Sequence, residues 1–69
     1  MTVQIALIGK LYVVQAIFEP GGRTWETVDS TQWQGKAMRL RDHLRRNSYK
    51  SVREVYKSEY YMQWVMERY

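Results

Sequence analysis

The sequence predicts a small two-layer α+β domain, in which an antiparallel β-meander of three or four strands is packed by one basic amphipathic helix and a short C-terminal helix. Three observations predict it. The first half of the chain is rich in β-branched and aromatic residues, the run 36–46 has apolar residues at helical spacing, and residues 60–69 are mostly apolar. The chain has 69 residues and no linker or repeat, so residues 1–69 are expected to form a single domain.

Two strands joined by a tight turn are predicted at the start of the chain. Residues 3–7 alternate in side-chain character, and residues 11–19 are rich in β-branched and aromatic side chains. Gly9-Lys10 suits a two-residue type II′ turn, which takes glycine first. One long strand with a bulge at Gly9 is the alternative. The break at residues 20–22 then separates a third strand over 24–28, antiparallel to the second.

A basic helix is predicted next. Thr31 as N-cap with Gln34 three residues later fits a capping box. Gly35 weakens the first turn, so the helix is expected to be firm over 36–46 and to end at Asn47. Its narrow apolar stripe consists of Trp33, Ala37, Leu40 and Leu44. Arginines flank this stripe on both sides, which predicts a helix with a broad cationic back.

The last third of the chain allows two interpretations. In the first, residues 52–57 form a fourth strand, and Ser58 caps a helix over 59–69. In the second, Ser51 and Glu54 form a capping box, and one helix runs from residue 52 to the end. The β-branched and aromatic content of residues 52–56 favours the strand.

The composition argues against several kinds of site. With no cysteine and a single histidine, His43, neither a disulfide nor a structural zinc site is expected. The seven carboxylates are scattered and no nucleophile motif is present, so we expect no enzyme activity, no cofactor and no small-molecule substrate. The apolar run at the start is too short for a signal peptide or a membrane span, which favours a cytoplasmic protein without membrane contact.

The second predicted strand is apolar on both faces, and one basic helix covers only one of them. We therefore expect either a sheet-mediated homodimer or partner contact, or a C-terminal segment folded over the second face. The C-terminal segment is itself too apolar to remain uncovered. The predicted association surface consists of Leu11, Val13, Ile17, Tyr60, Tyr61, Trp64 and Val65.

Positive charge is concentrated in the second half of the chain. Residues 1–35 carry two basic and three acidic side chains, whereas residues 36–69 carry nine basic and four acidic ones. Such a patch suits an acidic protein surface, or phosphates with a tyrosine stacked on bases, while a merely solvated face is the remaining alternative. The predicted basic patch consists of Lys36, Arg39, Arg41, Arg45, Arg46, Lys50, Arg53, Lys57 and Tyr49.

Together these features predict a small non-enzymatic binding protein, a regulator or inhibitor of the phage or mobile-element type. It is expected to act through protein–protein contacts, as a homodimer, on a partner with an acidic surface. The alternative is non-specific or weakly specific nucleic-acid binding through the helix 36–46. The chain has no helix-turn-helix spacing, which argues against sequence-specific reading of DNA.

Overall fold

In a computed structural model, which describes residues 1–67, a three-stranded antiparallel sheet carries three helices on one of its faces. The strands are β1 (Thr2–Ile8), β2 (Leu11–Ile17) and β3 (Glu26–Thr31), in the sheet order β1-β2-β3. The helices are α1 (Gln34–Arg46), α2 (Val52–Lys57) and α3 (Glu59–Met66). The predicted α+β meander is confirmed, with three strands in this part of the chain. No helix within it is long and apolar enough to cross a membrane.

The turn between β1 and β2 has the predicted geometry. Gly9 has a φ of +61°, and no non-glycine residue from 1 to 67 has a positive φ, so φ of Lys10 is negative. A positive φ followed by a negative one is the type II′ pattern. The two strands pair over their whole length, from Thr2 opposite Ile17 to Ile8 opposite Leu11. The hairpin is therefore confirmed, and the single long strand is wrong.

β3 lies further along the chain than the predicted strand over 24–28, and it contains a bulge. Gln15 pairs with Thr27, but the preceding residue of β2, Val14, pairs with Asp29. Val28 is the extra residue, so Val28 and Asp29 both oppose Val14. Val28 is buried in the core on the helix side. The bulge therefore turns two successive residues of β3 toward the helices.

The predicted capping box of α1 is wrong. Thr31 is the last residue of β3, where it is buried and pairs with Tyr12. Its hydroxyl accepts the N–H of Trp33 at 3.3 Å, and Trp33 is the N-cap without contributing a side-chain cap. Strand pairing thus holds Thr31 too far from the helix to cap it. The predicted end of the helix at Asn47 is confirmed.

The predicted fourth strand over 52–57 is also wrong, because this segment forms α2. In a helix its β-branched and aromatic side chains share one face: Val55 is fully buried, and the Tyr56 hydroxyl donates to the carbonyl of Val28 at 2.6 Å. These contacts with the core and with β3 outweigh the strand propensity of the segment. Ser51 caps α2 by accepting the N–H of Glu54 at 3.3 Å.

The single long C-terminal helix is wrong as well, although both predicted serine caps are confirmed. Ser58 ends α2 and begins α3, and its hydroxyl accepts the N–H of Tyr61 at 3.1 Å. α3 ends at Met66, and the predicted helix residues 68 and 69 lie outside the described part. The predicted helix after Ser58 is therefore confirmed as far as Met66, and a second short helix, α2, stands where the strand is predicted.

The core lies between the inner face of the sheet and the helix layer. Its largest fully buried side chains are those of Val14, Leu40, Leu44 and Val55. Trp64 of α3 joins them and donates its indole N–H to the carbonyl of Lys36 at 2.8 Å. The C-terminal segment thus packs beside α1, and the second face of the sheet is not covered by it.

We expect Leu40→Ala to lower the free energy of unfolding by about 2–5 kcal/mol, because Leu40 is fully buried at the centre of this core. A core of this size contributes only ~3–5 kcal/mol in net terms, so the variant should be largely unfolded. Met38→Ala on the same helix is the control: Met38 is 38% exposed, and its loss should cost no more than about 0.5 kcal/mol. Urea unfolding followed by circular dichroism measures both. Equal effects of the two substitutions would contradict the assigned core.

Candidate binding surfaces

The face of the sheet that points away from the helices carries no ionisable residue. Side chains alternate between the two faces of a strand, and Val3, Val14 and Ala16 point into the core. Their neighbours along the chain therefore point outward, and cross-strand pairing places them on one surface. We call this surface the outer sheet face; it consists of Thr2, Gln4, Ala6, Ile8, Leu11, Val13, Gln15, Ile17, Thr27 and Ser30.

The outer sheet face is open and partly apolar. Ile8 is 58% exposed and Leu11 is 44% exposed, whereas Val13 in the central strand is shielded by its neighbours. Gln4 donates from its amide to the amide oxygen of Gln15 at 2.9 Å, so these two polar groups satisfy each other across the strands. A partner on this face would meet apolar and uncharged polar side chains in equal number, five of each.

The predicted association surface is divided between this face and α3. Leu11, Val13 and Ile17 lie on the outer sheet face, and the other members lie in the helix layer. Leu11 and Val65 meet at one groove, between the end of β3 and the start of α1. Val65 is 51% exposed, so it remains available to a partner.

The aromatic members of that set attach α3 to the rest of the chain. The Tyr60 ring stacks on His43 with centroids 3.7 Å apart, and its hydroxyl donates to the carbonyl of Arg39 at 3.0 Å. The Tyr61 hydroxyl donates to the carboxylate of Asp29, and Trp64 is 4% exposed. These three side chains are therefore used within the chain. Sequence reasoning did not single out Asp29, whose orientation follows from the bulge.

The basic patch is partly neutralised from within. Lys36 is buried: its ammonium lies 4.6 Å from the centre of the Trp64 ring and donates to the carbonyl of Glu67 at 3.2 Å. Arg39 forms an ion pair with the carboxylate of Glu67 at 2.8 Å. Arg41 pairs with its neighbour Asp42 at 3.0 Å. The first three of the eight cations in the predicted basic patch are thus tied to the chain's own acceptors.

The remaining positive charge lies further along, over residues 45–57, which we call the cationic segment. It spans the end of α1, the following loop and α2, and Glu54 is its only carboxylate. Its cations are exposed, and among residues 1–67 none of them forms an ion pair with a carboxylate. They are Arg45, Arg46, Lys50, Arg53 and Lys57. Five cations against one carboxylate make this the most positive exposed part of the helix layer.

Tyr49, the aromatic member of the predicted basic patch, packs against the core. Its hydroxyl lies 2.6 Å from Nε2 of His43, and the two rings are 5.7 Å apart. The Asn47 amide nitrogen is 3.3 Å from Nδ1 of His43, so both ring nitrogens of His43 have a polar neighbour. The Tyr49 ring is therefore engaged with His43, which limits its use as a stacking platform.

Burial and neighbouring charge shift the titration of this aromatic cluster. Partial burial, and then the positive charge of Arg46, lower the pKa of His43 below its ordinary value of 6.5. Burial is also the main cause that raises the pKa of Tyr60 and Tyr61 above 10.0, and for Tyr61 the hydrogen bond to Asp29 adds to it. The neutral forms of all three side chains are therefore favoured in the folded chain.

Comparisons with known proteins add no relative: no family model, curated protein or solved structure matches the chain. Within residues 1–67, no three or more His, Cys, Asp or Glu side chains are grouped so that they could hold a metal ion. The outer sheet face and the cationic segment are consequently the surfaces on which a function can be argued.

The lowered pKa of His43 predicts a loss of stability in mild acid. Because the folded chain binds this proton more weakly than the unfolded chain, the free energy of unfolding should fall as the pH drops below 6.5. His43→Phe keeps an aromatic ring against Tyr60 and should remove the pH dependence between about pH 7 and pH 5.5, where carboxylates stay ionised. Tyr12→Phe, which leaves the only histidine in place, should retain it. Urea unfolding at both pH values is the measurement, and an unchanged slope in the His43 variant would refute the prediction.

Tyr61→Phe should lower the free energy of unfolding by about 1.5–3 kcal/mol, because it leaves the Asp29 carboxylate without its donor from α3. Tyr12→Phe is again the matched control, since Tyr12 is half-buried and its hydroxyl forms no hydrogen bond within residues 1–67. Thermal unfolding followed by circular dichroism compares the two. If both variants melt with the wild type, the Tyr61 hydroxyl does not anchor α3.

Proposed function

We propose that this chain is a small non-enzymatic binding protein that recognises an acidic surface of a protein partner through its cationic segment. This mode of binding suits a regulator or inhibitor, because such a protein can act by occupying a surface of its partner. The observation that carries the proposal is the excess of five exposed cations over one carboxylate in residues 45–57.

Two further features support this location within the helix layer. The cations of the basic patch before residue 45 are tied to Glu67 or Asp42, and Lys36 is also buried. Within the cationic segment Arg45 donates to the carbonyl of Val3, a neutral acceptor that leaves its charge unneutralised, and the other four cations keep theirs available. Arg53 and Lys57 are also four residues apart on α2, which places them on one exposed side of that helix. Exposed, unneutralised cations contribute to the rate and specificity of association with an acidic surface.

Nucleic-acid binding is the second candidate, since phosphates would be attracted to the same cations. Single-stranded nucleic acid is commonly held by aromatic side chains on which its bases stack. Tyr49 packs against the core and His43, and the Tyr56 hydroxyl is bonded to β3. Tyr56, which is 42% exposed, is then the one aromatic side chain of the segment open to a base, and a single ring beside five cations favours a carboxylate-bearing protein surface over bases.

We expect labelled poly-glutamate, as a probe for an acidic protein surface, to bind the wild-type chain more tightly than labelled single-stranded or duplex oligonucleotides. The doubly substituted variant Arg53→Glu with Lys57→Glu should lose affinity for poly-glutamate by about tenfold, equivalent to about 1.4 kcal/mol. The two introduced glutamates would repel the negatively charged probe at the positions where Arg53 and Lys57 attract it. Fluorescence anisotropy at about 0.05 and 0.2 M salt is the measurement.

The control variant combines Lys10→Glu and Arg23→Glu, which lie in the hairpin turn and in the loop before β3. It lowers the net charge by the same amount but leaves the cationic segment intact, so its affinity for poly-glutamate should stay within about twofold of wild type. Equal losses in the two variants would mean that net charge alone attracts the probe, and the proposal would fail. Tighter binding of oligonucleotides than of poly-glutamate would favour the second candidate.

A further inference from the structure

We propose that the outer sheet face binds a second copy of this chain. The two sheets would pack face to face about a two-fold axis, at the ~10 Å separation of a β-sandwich, with both helix layers on the outside. The proposal does not depend on what the cationic segment binds.

Charge is the argument for a second copy as the occupant. Across a two-fold axis a surface meets itself, so a charged residue near the axis faces its own like charge. The chain has a net charge of +4, with 11 basic and 7 acidic residues, and two copies therefore repel each other. β1 and β2 contain no charged residue, and Thr27 and Ser30 complete an uncharged surface. On this face two copies meet without opposing like charges.

The edges of the sheet are poorer sites for self-association. Each edge strand receives a hydrogen bond from a side chain of the helix layer, and on β3 the Tyr56 hydroxyl donates to the carbonyl of Val28. The Arg45 guanidinium lies beside β1 and donates to the carbonyl of Val3 at 3.1 Å. A two-fold axis perpendicular to the sheet at this edge would pair the two β1 strands antiparallel and bring the two copies of Arg45 to the same side of the joined sheet. Face-to-face packing instead keeps the cationic segments on opposite outer sides.

The size of the face sets the expected strength of the dimer. Three strands spaced ~4.8 Å apart and about seven residues long, at ~3.3 Å per residue, cover a projected area of roughly 330 Å². A face of this size lies at the small end of specific interfaces, because each partner in a standard stable interface buries ~800 Å² of accessible surface. The dimer should therefore be weak and reversible, forming at concentrations of about 10 µM to 1 mM. The dimer would present two cationic segments at once, which increases the overall affinity for a partner that carries two or more acidic surfaces.

Two neighbouring residues of β1 provide a matched test. Ile8 lies on the outer sheet face and is 58% exposed, whereas Leu7 lies on the opposite face and is 64% exposed. Ile8→Lys and Leu7→Lys add the same charge at adjacent, equally accessible positions, and circular dichroism checks that both variants fold. Sedimentation equilibrium over about 10 µM to 1 mM measures the mass of each.

We expect the wild type and Leu7→Lys to approach twice the monomer mass of 8.4 kDa as concentration rises, and Ile8→Lys to stay at the monomer mass. A wild type that remains monomeric up to 1 mM overturns the proposal and leaves the face to a different partner. Equal dissociation by both substitutions overturns it too, because added charge alone would then explain the effect. Poly-glutamate binding by dilute Ile8→Lys reports separately on the cationic segment, so the two proposals fail independently.

Discussion

Three tyrosine hydroxyls hold the C-terminal third of this chain in place, and the rest of the structure depends on that attachment. Tyr56 and Tyr61 bond to β3, and Tyr60 bonds to the backbone of α1. A chain of 69 residues without cysteine has only a small core to hold its helices, so these bonds matter for stability. They keep α2 and α3 in the same layer as α1, and the other face of the sheet stays open as a result.

Local patterns were enough to predict the fold class, the first hairpin and the centre of α1. Gly9 favours the tight turn, the alternation of residues 3–7 favours β1, and the β-branched content of residues 11–19 favours β2. These signals act over a few residues, and the structure contains all three elements. Residues 52–57 have strand-like composition but pack as a helix, because Val55 and Tyr56 find the core and β3 there. Contacts between residues nearly 30 positions apart decided that segment, and no local pattern reports them.

The candidate surfaces were predictable in composition but not in extent. The second apolar face of β2 could be expected from the sequence, and the structure leaves it uncovered by residues 1–67. The sequence predicts a basic patch that extends from Lys36 to Lys57, whereas Lys36 and Arg39 at its start are engaged by Glu67 near the end of the chain. Helical spacing predicts which cations share a side of α1, but it does not show which acceptors from α3 arrive there. Only the folded chain separates the engaged cations from the free ones.

The bulge in β3 determines which face of the sheet is free of charge. If β3 paired regularly from Thr27 onward, Asp29 would lie opposite Val13 and Ser30 opposite Tyr12. The carboxylate would then lie on the outer sheet face, beside Val13 of the central strand, and the Tyr61 hydroxyl would lose its acceptor. This one irregular pairing thus decides which residues of β3 point toward the helices and which point outward. It thereby determines both the anchoring of the helix layer and the absence of charge on the outer sheet face.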